Sequence, residues 1–223
     1  MSILKLNSVY KKYFRGHEAF NAVNNISLEI NPGDFINIIG KSGSGKSTLL
    51  KLCAGLLRPT AGNIEFNGEN LNLKSDDELS YIRNNQIGYI PQNAQALENL
   101  NVIENILLPF YLYKHAGDGE GYARILLEKF GIEKLFKSYP DELSGGELRR
   151  VLIARAMINN PKIIIADEPT SSLDAESSKN VMEIFNNLNS DGITIILVSH
   201  DLETLKYGKK IFKMEAGNLI FNF

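Results

Sequence analysis

A run of closely spaced glycines ends in a lysine and a hydroxyl residue: Gly40, Lys41, Ser42, Gly43, Ser44, Gly45, Lys46 and Ser47. Glycines let a backbone curl so that successive N–H groups converge on phosphate oxygens, and the helix expected to follow adds partial positive charge. Lys46 would reach the β- and γ-phosphates of a nucleotide, and the Ser47 hydroxyl would ligate Mg²⁺. We therefore predict a nucleoside triphosphate site that extends to Thr48, in preference to a plain Gly/Ser-rich turn.

Two adjacent carboxylates, Asp167 and Glu168, follow the apolar run of residues 163–166. Such a run is typical of a strand buried in a parallel sheet, and ligands bind at the carboxyl ends of these strands. Neighbours on an extended chain point to opposite sides, so we expect different tasks for the two groups. Asp167 would hold Mg²⁺ through water, whereas Glu168 would orient the attacking water and could deprotonate it. Alone, such a pair is more often a helix N-cap, but the glycine-rich loop favours catalysis.

The hydrophobic pattern predicts an α/β protein in which strands lead into both motifs. A strand over residues 35–39 runs into the glycine-rich loop, and a helix is predicted from Lys46 to Leu57, ended by Pro59. Antiparallel-type strands dominate the first 90 residues, helices the middle, and alternating strands and helices the last third. Further strands are expected over residues 26–30, 64–66, 87–90, 163–166, 193–198, 211–214 and 219–221, and further helices over 75–83, 101–136 with a break near 116–119, 146–159 and 175–188.

Composition excludes several other classes of protein. The chain has 223 residues, 43% apolar and 22% charged, and its formal charge of −2 implies no general surface for nucleic acid. Cys53 is the single cysteine, so no intramolecular disulfide can form, which fits the cytosol. The longest apolar stretch, residues 106–113, contains Pro109 and is far short of the ~20 residues needed to span a bilayer. We therefore expect a globular chain that crosses no membrane by itself.

Residues 143–147, Leu-Ser-Gly-Gly-Glu, resemble the signature sequence of ATP-binding cassette (ABC) ATPases. Other motifs of that family stand in the expected order: Tyr13 is similar to the aromatic residue that stacks on adenine, Gln92 to the Q-loop glutamine, Asp174 to the D-loop aspartate and His200 to the switch histidine. The resemblance implies an α/β P-loop NTPase fold of the ABC type, with a RecA-like core, an antiparallel β-subdomain and a helical subdomain. It implies one nucleotide-binding domain over residues 1–223, with the helical subdomain mainly in 91–160 and the rest in 1–90 and 161–223.

By the same resemblance the chain is an ATPase that uses ATP and Mg²⁺ and packs head to tail with a second cassette. We expect a homodimer, and a heterodimer with a related cassette is the alternative. Ser144, Gly145 and Gly146 precede a helix and offer free N–H groups and a helix dipole, which make a second anion site. In the family this site faces the γ-phosphate of the ATP that the partner binds. Gln92 would donate to water or coordinate Mg²⁺, and His200 would donate to the γ-phosphate. Asp174 opens a helix, so the D-loop role and a plain N-cap both stay open.

The signature departs from the commoner family pattern at one position, since Glu147 stands where glutamine is more usual. An acid in the first turn of a helix is electrostatically acceptable, so no loss of activity is inferred. Residues 83–92 and 100–109 resemble the branch that serves lipoprotein release, macrolide or peptide efflux, and the cell-division ABC system.

That branch implies separate membrane permease subunits, which would dock a short helix against the helical region after Gln92. The chain would then lie peripherally on the cytoplasmic face of the membrane. The alternative is a cell-division-type ATPase that transmits a conformational change to a permease-like partner without transport. A soluble ABC ATPase of DNA repair or translation is disfavoured, because the chain has one cassette and no long coiled-coil insertion.

Overall fold

The computed structural model describes residues 1–113 and 115–222, so Lys114, inside the predicted helical stretch, lies outside the described residues. Over that range the strands are β1 (Leu4–Arg15), β2 (Glu18–Ile30), β3 (Phe35–Ile39), β4 (Ala61–Phe66), β5 (Glu69–Asn70), β6 (Ile87–Ile90), β7 (Ile163–Asp167), β8 (Thr194–Val198), β9 (Lys210–Glu215) and β10 (Asn218–Asn222). The α-helices are α1 (Lys46–Cys53), α2 (Asp76–Gln86), α3 (Val102–Leu112), α4 (Gly119–Lys129), α5 (Gly145–Met157) and α6 (Ala175–Ser190). None of the described helices combines the length and the apolar character that crossing a bilayer requires.

A four-stranded antiparallel sheet is formed in the order β2-β1-β4-β5. Its longest pairing joins β1 to β2. The β1 residues Leu4, Leu6 and Val9 are buried and form part of the hydrophobic core. Strand β1 was not predicted from the sequence. The reason is visible at Ser8, where a positive φ of 46° accompanies a shift of register and breaks the alternation of apolar residues.

The second sheet has six strands in the order β10-β9-β3-β8-β7-β6. The pairs β9–β3, β3–β8, β8–β7 and β7–β6 are parallel, and β10 joins β9 as an antiparallel hairpin. Parallel strands end at one edge of a sheet, so the chain that follows β3, β6, β7 and β8 emerges on the same side. This edge therefore receives the glycine-rich loop, Gln92, the two acidic residues and His200.

Both faces of this sheet are covered, which explains the uninterrupted apolar runs in its strands. Ile163 and Ile165 of β7 pack into a cluster with α1 and the antiparallel sheet. Ile164 and Ala166, one residue along, point to the opposite face and pack with α3, α4, α5 and α6. Alternate residues of the same strand thus belong to two hydrophobic clusters, and the strand is held on both sides.

The helix after the glycine-rich loop is shorter than predicted, because α1 ends at Cys53 and not at Leu57. Gly55 has a φ of 63°, the left-handed conformation that favours glycine just beyond a helix end. The N–H of Leu56 donates to the carbonyl of Lys51 at 2.8 Å, and the N–H of Gly55 donates to Leu52 at 3.0 Å. Gly55 therefore ends the helix before Pro59 can. The other predicted elements are present, but β2 begins at Glu18, eight residues before the predicted start at 26. The helical stretch predicted to reach 136 ends with α4 at Lys129, and the short strand β5 was not predicted.

Candidate active site

The glycine-rich loop connects β3 to α1 and wraps around the side chain of Lys46. The ammonium Nζ of Lys46 donates to the carbonyl oxygens of Gly40 at 2.7 Å and Lys41 at 2.9 Å. Gly45 has a φ of 107°, and a Cβ there would lie 2.0 Å from the carbonyl oxygen of Ala22. Only glycine fits at this point, because a side chain would meet backbone that has no room to shift.

Beside the loop lies a cavity of about 310 Å³ that brings distant parts of the chain together. The β1–β2 hairpin contributes Tyr13 and its cross-strand partner Phe20, whose ring centroids are 6.0 Å apart. Flat aromatic rings of this kind offer a stacking surface for a base. The full lining is Tyr13, Phe20, Ala22, Ser42, Gly43, Gly45, Lys46, Ser47, Thr48, Gln92 and Glu168.

Three of the predicted catalytic residues meet at the carboxyl edge of the parallel sheet. The Nε2 of Gln92, after β6, donates to Oε2 of Glu168 at 2.7 Å. The Nδ1 of His200, after β8, lies 3.2 Å from Oε1 of the same carboxylate. Glu168 itself has a φ of 49°, and its N–H donates to the carbonyl of Val198 at 2.9 Å. The chain therefore turns sharply after β7 and holds the carboxylate between an amide and an imidazole.

Asp167, one residue earlier, is buried at the end of β7. Burial raises the pKa of this carboxyl, while a hydrogen bond from Ser47 acts in the opposite direction. Its Oδ1 is buried and has no hydrogen-bond partner within the described part of the chain. A buried carboxylate oxygen without a partner, next to a hydroxyl, suits a hard cation such as Mg²⁺. The described residues hold no cluster of three or more His, Cys, Asp or Glu side chains that could bind a metal ion.

The signature residues lie elsewhere. Ser144 is exposed and caps α5, which begins with Gly145 and Gly146. A Cβ on Gly146 would lie 2.8 Å from Oγ of Ser177, so the signature packs closely on the start of α6. Asp174 caps that helix by accepting from the Ser177 N–H at 2.8 Å. The N-cap role of Asp174 is therefore present, and Asp174 groups with the signature and not with the cavity.

Sequence reasoning found most of the cavity but missed Phe20. Ala22, whose carbonyl closes on Gly45, was missed as well. The signal for Phe20 was the pairing of β1 with β2, which places it directly opposite Tyr13. Because β1 was not predicted, this neighbour could not be inferred.

Comparison with known proteins identifies the class that this fold and site define. The family model described as ABC transporter matches residues 23–171. The dimeric, post-hydrolysis structure of the ATP-binding cassette MJ0796 from Methanocaldococcus jannaschii, bound to ADP and Pi, superposes with a TM-score of 0.89 at 35% identity, covering 99% of this chain and all of that one. The chain belongs to the ABC transporter family.

Relatives with names support the same family assignment. The lipoprotein-releasing system ATP-binding protein LolD of Buchnera aphidicola is 42% identical over 99% of this chain and 97% of its own length. The macrolide export ATP-binding/permease protein MacB of Mannheimia succiniciproducens is 39% identical over 99% of this chain, which spans 34% of that protein. The predicted family, fold class and ATPase function are confirmed, as are permease and second-cassette partners at the level of the family. ATP is thereby supported as the nucleotide.

Proposed function

We propose that this chain binds ATP with Mg²⁺ between its phosphate loop and the carboxyl edge of its parallel sheet, and hydrolyses it to drive a membrane permease. The observation that carries the proposal is the contact of Gln92 and His200 with the Glu168 carboxylate. These three side chains come from three different strand ends and converge beside a cavity that the phosphate loop also lines. Such convergence suits a reaction at a terminal phosphate.

The residues in and beside the cavity have distinct tasks in this proposal. Lys46 and the loop N–H groups hold the β- and γ-phosphates, and the Tyr13 ring stacks on the base. Ser47 and Asp167 hold Mg²⁺, with Gln92 as a further ligand, and the ion when bound neutralises phosphate charge. Glu168 accepts a proton from the attacking water, because its carboxylate faces the cavity and has a defined orientation. His200 donates to the γ-phosphate from its ring.

The signature completes the site of a partner cassette. Ser144, Gly145 and Gly146 do not line the cavity of their own chain. They present a helix N-terminus, which attracts anions. Two chains packed head to tail would place each signature against the γ-phosphate held by the other, so that ATP binding closes the dimer and hydrolysis reopens it. The dimeric MJ0796 structure with ADP and Pi supports this arrangement.

The permease partner gives the chain its place in the cell. The names of LolD and MacB refer to lipoprotein release and macrolide export, and MacB is named an ATP-binding/permease protein. We place this chain with lipoprotein- or peptide-type export, on the cytoplasmic face of the membrane through a separate permease. In this proposal the mainly helical part, 91–160, forms the subdomain that carries the movement to the permease, and 1–90 and 161–223 form the rest of one cassette.

Substitution of Glu168 tests the catalytic proposal. Glu168→Gln keeps the size of the side chain but removes the proton acceptor, so kcat should fall by about 10²–10⁴-fold while ATP binding persists. Loss of turnover with binding intact should also leave a dimer trapped by ATP, measurable by light scattering. Glu183→Gln, on the half-exposed side of α6 where Glu183 lies 3.8 Å from Lys179, is the matched control and should keep full turnover. Near-normal turnover of Glu168→Gln would refute the assigned role.

A further inference from the structure

The signature serine is engaged by an acid on its own helix. The Ser144 hydroxyl donates to Oε2 of Glu147 at 2.7 Å, and the Ser144 N–H donates to the same oxygen at 2.9 Å. In return the Glu147 N–H donates to Ser144 Oγ at 3.3 Å. These bonds lower the pKa of Glu147, with the hydroxyl as the largest cause, so the carboxylate is charged at neutral pH.

The same local geometry occurs at the start of α2. Ser75 Oγ donates to Oε2 of Glu78 at 2.9 Å, and the Ser75 N–H donates to that oxygen at 2.8 Å. Both pairs are therefore good helix caps. The two pairs differ in position: Ser144 is exposed at the signature, whereas Ser75 starts a helix that contributes no residue to the lining of the nucleotide cavity.

A serine hydroxyl has one hydrogen to donate. A γ-phosphate oxygen is a hydrogen-bond acceptor, as the Glu147 carboxylate is. The Ser144 hydroxyl can therefore donate to the phosphate only if it stops donating to Glu147. Any phosphate oxygen that Ser144 Oγ does contact lies within about 5.5 Å of Glu147 Oε2, because two hydrogen bonds of ordinary length join them. The positive charge of Arg150 also lowers the pKa of Glu147, and the Nη1 of Arg150 donates to the Phe130 carbonyl at 3.2 Å.

We propose that Glu147 is a positioning residue that holds the Ser144 hydroxyl and opposes the arrival of the partner's γ-phosphate, and so raises the ATP concentration at which two copies of this chain close. The inference rests on one part of the proposed function, the trans site, in which the signature of one chain contacts the γ-phosphate that the other chain holds. Glutamine at the same position would keep a cap on the Ser144 N–H through its carbonyl oxygen but would carry no charge. Repulsion between a carboxylate and a γ-phosphate that carries about two negative charges, at about 5.5 Å in a water-like dielectric, changes the closing equilibrium about tenfold per site.

The test measures ATP-dependent dimerisation in the Glu168→Gln background, where hydrolysis does not interfere. Light scattering during an ATP–Mg²⁺ titration gives the half-maximal ATP concentration for the background and for Glu147→Gln added to it. At low salt the added substitution should reduce that concentration about tenfold, and the difference should shrink at high salt because charge is screened. A residue with a purely structural role would give no change or a higher requirement.

Two further variants serve as controls, one for the chemical change in a helix cap and one for the charge at position 147. Glu78→Gln makes the same chemical change in the matched cap and should leave the ATP requirement unaltered. Glu147→Asp keeps the charge and should not lower it. The inference would be overturned, with the proposed function left standing, if Glu147→Gln left the half-maximal ATP concentration unchanged or raised it. A decrease in that concentration that does not depend on salt would overturn the inference in the same way. Absence of any ATP-dependent dimer in the background and in Glu78→Gln would overturn the proposed trans site together with it.

Discussion

Asn105 is a fully buried amide that fastens the segment following the Q-loop glutamine to α3. Its Nδ2 lies within hydrogen-bond distance of three carbonyl oxygens, those of Leu100 at 2.8 Å, Asn101 at 3.0 Å and Leu97 at 3.1 Å, and its two hydrogens are shared among them. Its Oδ1 accepts from the Leu97 N–H at 2.8 Å. One side chain thus satisfies a turn that has little regular structure of its own.

Asn105→Leu keeps the approximate volume of the side chain and removes all of these bonds. Two backbone groups, the Leu97 N–H and the Leu100 carbonyl, lose their hydrogen-bond partner in this variant. The Leu97 carbonyl keeps one, because it still accepts from the Leu100 N–H. Each buried polar group left without its partner costs about 1–3 kcal/mol, and this turn is partly open to water, so we expect a loss of about 3 kcal/mol in the free energy of unfolding. For a chain of this length that corresponds to a decrease of about 10 °C in Tm.

Differential scanning calorimetry of the two proteins under identical conditions measures this effect. Asn187→Leu, on the exposed side of α6, is the control and should stay within about 0.5 kcal/mol of wild type. A Tm for Asn105→Leu that matches the control would show that the amide network contributes little, and would refute the reasoning from its bonds.

Two other changes give separate tests. Tyr13→Ala should raise the KM for ATP about 2–10-fold with kcat little changed, because a stacking surface is lost. Phe14 is exposed and lies outside the cavity lining, so Phe14→Ala should leave the KM unaltered. Equal effects of the two substitutions on KM would reject Tyr13 as the base-stacking residue. Burial raises the pKa of the Cys53 thiol to about 12, so iodoacetamide at pH 8 should label the protein only after denaturation, and rapid labelling of the native protein would contradict its placement in the core.

The parts of the fold that the sequence predicted well are those with strong local signals. The parallel strands are uninterrupted apolar runs, and α2 and α5 begin with serine followed three residues later by glutamate. Prediction failed at β1, because the irregular pairing at Ser8 hides its alternation. It also placed the end of α1 too late, because Pro59 was taken as the terminator while Gly55, four residues earlier, already ends the helix.

The residue types of the site were predictable, but their contacts were not. The acidic pair after an apolar run indicated Glu168, and the order of the family motifs indicated Gln92 and His200 in other parts of the chain. Their convergence depends on the strand order β8-β7-β6, which no local pattern encodes. The grouping of Asp174 with the signature depends in the same way on packing between α5 and α6, where Gly146 approaches Ser177.

The claim that each ATP is held by two chains is tested most directly by mixing two inactive variants. Lys46→Ala disables a phosphate loop, and Ser144→Arg disables a signature, so each homodimer should be inactive. A mixed dimer contains one site with both parts intact, and an equal mixture should recover about a quarter of wild-type ATPase activity. If mixed dimers form and remain inactive, or if Ser144→Arg alone hydrolyses ATP at the wild-type rate, the site is not shared between chains.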